Sequence, residues 1–290
     1  MKKLFLLFIL LAALPLAALP SGSYDWAKGA KLHDGVLHAY MELKDPRPLK
    51  INTVQVDLHS PGIDFIATAA DKDYGKPMPD FPQMTIQTKR LKVREFMQQK
   101  RAEGYDILVA ANSTPWGPWR KPYTHIYAGN IGLVISDGNI VADKKKNIPA
   151  FTVTKDNKVE IRVIKGDEDR KNFRIALAGF SIILKDAKVV IKYKDYHPRT
   201  CYGISADGRY LYLMTVDGRQ KFISEGASVV ECAELLRYFG AADGINMDGG
   251  GSTTLVNWNS KKNKAEVLSH QAFGGERRVA TSLGIIRKKK

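Results

Sequence analysis

Asn246-Met247-Asp248-Gly249-Gly250-Gly251-Ser252-Thr253-Thr254 sets one carboxylate before three consecutive glycines and three hydroxyl residues. The residues leading into it, Gly244 to Met247, read as a strand, so the glycines fall where a strand ends. No core needs that composition. A glycine run is costly in backbone entropy, and it marks a bend with positive φ or a backbone that a guest must approach closely. With Asp248 before the bend and hydroxyls after it, the guest expected is polar, such as a phosphate or a sugar.

Working outward, Ala227 to Phe239 buries Val230, Ala233, Leu236 and Phe239 at helical spacing. Ser228 followed by Glu231 is a capping-box pattern, and Gly240 ends the helix. A second helix is expected from Thr88 to Gly104, followed by a strand from Tyr105 to Ala111 that runs into Asn112-Ser113-Thr114-Pro115-Trp116-Gly117-Pro118-Trp119. That loop reads equally as a sugar-stacking surface or as a lid with buried tryptophans. Asp71 to Pro82 reads as loop. Hairpins fill the middle of the chain: around Asp137-Gly138, Lys155-Asp156-Asn157, Lys185-Asp186 and Asp207-Gly208. The expected architecture is α+β, with mixed or antiparallel sheets built from hairpins and a few packed helices in a single domain. The boundaries are a signal peptide over 1–23, an N-terminal lead-in over 24–50 and a domain over 51–287.

The start of the chain carries Lys2 and Lys3, an apolar run from Leu4 to Leu19, and Pro20-Ser21-Gly22-Ser23. That order is a secretory signal, which implies a secreted or periplasmic protein with no stable membrane span after cleavage. The formal net charge is +15. Such a chain concentrates near anionic polymers or membrane surfaces. Lys144-Lys145-Lys146 and Lys288-Lys289-Lys290 read as solvated surface, and no nucleic-acid motif accompanies them. Cys201 and Cys232 fit either a disulfide or two buried thiols, and no Cys/His spacing suggests zinc.

Four segments carry more polar chemistry than stability needs. Asp248 reads as nucleophile, base, metal ligand, or a side chain that satisfies the amides of its own turn. Asp217-Gly218-Arg219 closes a long apolar strand. In His197-Pro198-Arg199-Thr200, an arginine enters a strand where its fork can hold a phosphate. Gly274-Gly275-Glu276-Arg277-Arg278 pairs two arginines just before the last strand, Thr281 to Ile286. Glycoside cleavage commonly uses two carboxyls. Asp248 and Asp217 are the leading pair, with Glu225 and Asp243 in reserve. A nucleophile elbow is excluded because Gly250-Gly251-Ser252-Thr253-Thr254 lacks the second glycine, and a P-loop because no Gly-Lys-Ser/Thr follows the glycines.

In order, Arg199-Thr200-Cys201-Tyr202-Gly203-Ile204, Thr215-Val216-Asp217-Gly218-Arg219, the helix between Gly226 and Gly240, the triple-glycine stretch, and Arg278-Val279-Ala280 into Leu283-Gly284 resemble the phosphodiester glycosidase domain. That family includes the uncovering enzyme, N-acetylglucosamine-1-phosphodiester α-N-acetylglucosaminidase, and bacterial exopolysaccharide-associated proteins. The resemblance implies a glycosidase acting on a sugar-1-phosphodiester or a related linkage in envelope or environmental polysaccharide. By residue, it implies a site lined by Arg199, Asp217, Arg219, Asn246, Asp248, Gly249, Gly250, Ser252 and Arg278, with Asn112 joining them. Ser113-Thr114-Pro115-Trp116 departs from the Asn-Gly-Gly-aromatic pattern of the family. The competing expectation is a non-catalytic glycan-binding protein accessory to exopolysaccharide export or metabolism. The partner expected is a carbohydrate or phosphorylated glycan, not nucleic acid. No organic cofactor is implied, and oxygen-rich turns leave room for a calcium ion.

Overall fold

A computed structural model describes residues 19–45, 47–143, 147–166 and 170–288. Most of the expected signal segment, Lys144–Lys146, and Lys289 and Lys290 lie outside these residues. The protein is mostly β, with 45% of residues in strands and 10% in helix. Every strand pair among the described residues is antiparallel. The expectation of mixed sheets is corrected accordingly. Short turns join fewer than half of the paired strands, and such turns can only reverse direction.

The largest sheet has eight strands. Its centre is Leu49–Asp57, Tyr210–Val216, Arg199–Ile204 and Asp243–Asn246. The lead-in strands Ala30–His33 and Val36–Leu43 extend one side of it. A five-stranded sheet centres on Asp106–Asn112 and Ser282–Arg287. A second five-stranded sheet holds Val134–Ser136 and Ile148–Thr154. Val54, Leu213 and Tyr202 of the large sheet pack with Val109, Leu283 and Phe151 of the other two, which forms one apolar core.

Two α-helices are found among the described residues. α1, Val93–Ala102, covers the Asp106–Asn112 sheet through Phe96 and Met97. It starts later than Thr88, because Thr88–Lys89 is a short strand paired with Tyr127 and Ala128. α2, Val229–Tyr238, covers the other face of the large sheet and packs Leu235 and Leu236 with Cys201 and Met214. Its capping box is made as the sequence reads: Ser228 accepts from the Glu231 amide at 3.1 Å and Glu231 accepts from the Ser228 amide at 2.8 Å. Glu231 also forms a buried ion pair with Arg47 at 2.6 Å, which ties the helix start to the lead-in. Cys201 and Cys232 are buried free thiols. The Asp71–Pro82 segment, expected as loop, contributes to a small hairpin of Pro77–Met78 and Phe81–Thr85, with Met78 buried.

The hairpin at Asp137-Gly138 has φ of 50° and 77° at its two turn residues, the pairing that matches strand twist in a two-residue turn. The Asp186-Ala187 turn behaves similarly, with φ of 49° and 59°. No helix of the described residues is long and apolar enough to cross a membrane.

Candidate active site

The strand Asp243–Asn246 carries Asp248 to the end of the large sheet. There the backbone is held from two sides. The Asp248 amide donates to the Ser113 carbonyl at 2.9 Å, and Asn112 Nδ2 donates to the Asp248 carbonyl at 2.7 Å. The same Asn112 side chain accepts from Thr200 Oγ1 and from the Thr254 amide. It therefore clamps three segments together instead of facing a ligand.

The glycines after Asp248 clear space for different neighbours. A Cβ on Gly249 would lie 2.6 Å from the Pro198 carbonyl oxygen, and one on Gly251 would lie 2.5 Å from Arg277 Nη2. Gly250 takes φ of +62°, where a side chain is strained, and its outward face meets the Arg219 guanidinium. The bend thus lets one backbone run between a neighbouring main chain and two arginines.

Over this bend lies a cavity of about 620 Å³. Its wall includes Arg199, Arg219, Arg277, His197, Asn246, Asp248, Gly249 and Gly250, together with the apolar and aromatic side chains of Trp119, Tyr123, Phe180, Ile191 and Tyr193. Each cation is placed by specific contacts. Arg199 Nε donates to the Ala227 carbonyl at 3.0 Å and its Nη2 to the Asp195 carbonyl at 2.7 Å. Arg219 sits at a left-handed φ of 58° and reaches His197 Nδ1 at 3.4 Å. Arg277 lies over the Tyr123 ring at 4.9 Å. None of the three has an acidic partner within ion-pair distance among the described residues, so their positive charge is open to a guest. Burial, then Arg277 and Arg199, lowers the pKa of Arg219. Burial, then Arg199 and Arg219, likewise lowers that of His197. Like charges gathered in partly buried space are what an anion site requires.

Asp248 is the carboxylate in the cavity wall. Burial raises its pKa to about 7, against the opposing pull of Ser252, Arg277, the Gly249 amide and Trp116. Its Oδ2 has no hydrogen-bond partner within the protein. A carboxyl half-charged near neutrality in a cavity wall is suited to take or give a proton there.

Arg199, Arg219, Asn246, Asp248, Gly249 and Gly250 thus line one cavity. Ser252 sits behind it, accepting from Trp116 Nε1 at 3.4 Å and stabilising the Asp248 carboxylate. Asp217 is fully buried, away from the cavity wall. Neither of its carboxylate oxygens has a partner of good hydrogen-bond geometry, and His270 Nδ1 stands 3.6 Å away. Burial raises its pKa to about 7, with the His270 amide and Lys50 opposing. Arg278 points outward and pairs with Glu95 on α1 at 3.2 Å. Its neighbour Arg277 takes the cavity position, as alternation along an extended segment allows. Of the reserves, Asp243 pairs with Lys185 at 2.9 Å at the far end of its strand, and Glu225 is absent from the wall. Sequence reasoning passed over Tyr123, Phe180, Ile191 and Tyr193, which come from irregular loops without a periodic signal. Among the described residues no group of three or more His, Cys, Asp or Glu side chains could hold a metal ion.

The family model of the phosphodiester glycosidases matches residues 119–286, more than half of the chain. The chain belongs to the phosphodiester glycosidase family. All of the charged cavity residues fall inside the match, and Asn112 lies before it. No curated protein sequence matches the chain. Its fold recurs in solved structures, among them the following three. The zebrafish N-acetylglucosamine-1-phosphodiester α-N-acetylglucosaminidase catalytic domain, auto-inhibited by its pro-peptide, superposes with a TM-score of 0.61 at 17% identity, covering 90% of this chain and 87% of that one. A hypothetical protein from Synechocystis gives 0.62 at 12% identity, covering 88% of this chain. This chain spans 62% of that protein's length. A candidate exported protein of Burkholderia pseudomallei gives 0.56 at 12% identity over 82% of this chain and 74% of its own. The shared fold therefore extends upstream of the family match.

Proposed function

We propose that this protein hydrolyses the bond between an anomeric carbon and phosphate in a sugar-1-phosphodiester, as an exported enzyme acting on envelope or environmental glycans. The observation that carries this reading is the convergence of Arg199, Arg219 and Arg277 on a cavity whose wall carries Asp248. A glycosidase usually needs a second carboxyl to protonate its leaving group. A phosphate monoester leaves without that help, provided its developing charge is received by fixed cations. Three guanidiniums supply such a receiver, so one carboxyl in the wall is sufficient chemistry.

In this scheme deprotonated Asp248 takes the proton of a water molecule attacking the anomeric carbon. The carbon–oxygen bond to phosphate breaks, and its electron pair leaves with the phosphate held by the arginines. Asn246 orients a sugar hydroxyl, and the aromatic residues of the cavity wall receive the ring face. The family membership and the zebrafish enzyme's named reaction support the linkage; the basic, apolar N-terminus and the Burkholderia neighbour support export.

Turnover of a panel of sugar-1-phosphodiesters and aryl glycosides, comparing wild type with Asp248→Asn, tests the reading. Release of sugar from phosphodiesters only, lost in the variant, supports it. Tight glycan binding in both proteins with turnover in neither would establish a non-catalytic glycan-binding protein instead.

A further inference from the structure

Four loops lie at or beside the cavity: 118–126 and 190–198 supply lining residues, and 219–224 and 270–276 adjoin the lining residues Arg219 and Arg277. Each presents an aromatic ring to solvent. Trp119 is 56% exposed, Tyr193 52%, Phe222 81% and Phe273 66%. Trp119 and Tyr193 also line the cavity, and the Phe273 ring centroid stands 5.9 Å from the Arg219 guanidinium. Phe222 holds a left-handed φ of 66°, a costly conformation for a bulky residue, at the tip of a turn closed by the Ser224 amide on the Gln220 carbonyl. Bare phenyl rings on loop tips offer nothing to a sugar's hydroxyls.

The same loops carry exposed Arg120, Lys121, Lys192, Lys194 and Lys221. None has an acidic partner within ion-pair distance among the described residues, and the Lys221 ammonium lies 4.9 Å from the Phe222 ring centroid. Asp195 is the exposed acid among them, and it accepts from the Tyr193 hydroxyl. Aromatic tips interleaved with unpaired cations are what anionic bilayer surfaces attract: rings settle at the headgroup level while lysines meet lipid charge.

We infer that this collar docks on an anionic lipid bilayer, so that the cavity opens toward the membrane and takes its sugar phosphodiester from a lipid-presented headgroup or glycan. The substrate half of this inference rests on the proposed reaction; the docking half does not.

Sedimentation with vesicles separates the two. The full protein is mixed with vesicles of equimolar phosphatidylglycerol and phosphatidylcholine, or of phosphatidylcholine alone. Binding is expected to the anionic vesicles at low salt, weaker to the neutral ones, and reversed by added salt. The double variant Phe222→Ser, Lys221→Glu should lower the partition coefficient by about tenfold, with turnover of a soluble sugar-1-phosphodiester unchanged. Vesicle binding in a protein that lacks turnover would sink the reaction while leaving the docking in place. No sedimentation at low salt, equal binding to neutral vesicles, or full binding by the double variant would overturn the docking.

Discussion

The backbone of Gly251 runs so close beneath Arg277 that a methyl group added there would stand 2.5 Å from the guanidinium nitrogen. The glycine motif is therefore spatially coupled to an arginine that lies 26 positions later in the chain. This relation explains why a side chain at Gly251 would displace Arg277 although its φ is ordinary.

Gly251→Ala and Gly249→Ala should consequently fail in different ways. At Gly251 the obstacle is the end of a flexible side chain, so the fold survives and Arg277 is displaced. Phosphate affinity is expected to fall by roughly tenfold to a hundredfold, the worth of one charge-assisted contact. At Gly249 the obstacle is the Pro198 carbonyl, 2.6 Å from an added Cβ, so the main chain must move. Thermal unfolding should show a loss of about 1–3 kcal/mol for Gly249→Ala and clearly less for Gly251→Ala. Equal stability losses would contradict this assignment.

The two adjacent arginines make a second contrast. Arg277→Ala removes a cavity cation and should weaken binding of a sugar phosphate by roughly tenfold to a hundredfold. Arg278→Ala removes an exposed pair with Glu95, worth about 0–1 kcal/mol, and should leave affinity within about twofold. Calorimetric titration of both variants with one sugar phosphate checks this, and a larger effect at Arg278 would reverse the roles.

Asp217 predicts a stability effect with a definite sign. Its folded pKa of about 7 lies above its ordinary value of 3.8. Its contribution to stability is therefore complete below pH 3.8 and is lost as pH rises through about 7. Asp217→Asn keeps the neutral form at every pH. At pH 8 the variant should be more stable than wild type by about 1–4 kcal/mol, and the gap should close toward pH 4. Urea unfolding at both pH values decides it; an Asn variant less stable at pH 8 would show that the charged carboxylate is held by groups outside this account.

For Asp248 the expected readout is kinetic. A base with a pKa of about 7 gives kcat/KM that rises with pH through that value and then levels. The Asp248→Asn variant should lose this limb together with roughly 10²–10⁴ of the rate. A limb that falls through the same pH would assign Asp248 to acid catalysis and require another base.

Much of this was readable in the chain, for local reasons. The hairpin at Asp137-Gly138 and the Ser228/Glu231 capping box are decided by residues only a few positions apart. The glycine bend announced a close approach because no other residue type permits one. What could not be read was which distant groups approach it. Arg277 and Arg278 are indistinguishable as letters, and α1 decides between them by offering Glu95 to one. Asp217 sits beside Arg219 in sequence, yet it turns into the protein while Arg219 reaches the cavity. The helix expected from Thr88 lost its first residues to Tyr127 and Ala128, a pairing across nearly forty positions.

The central claim is that Arg199, Arg219 and Arg277 hold phosphate with the anomeric carbon turned toward Asp248. A crystal structure with a non-hydrolysable sugar-1-phosphodiester analogue measures it directly. The account predicts phosphate oxygens within hydrogen-bond distance of all three guanidiniums and the anomeric carbon facing the Asp248 carboxylate. Phosphate bound outside this cavity, or a sugar ring turned away from Asp248, would contradict it.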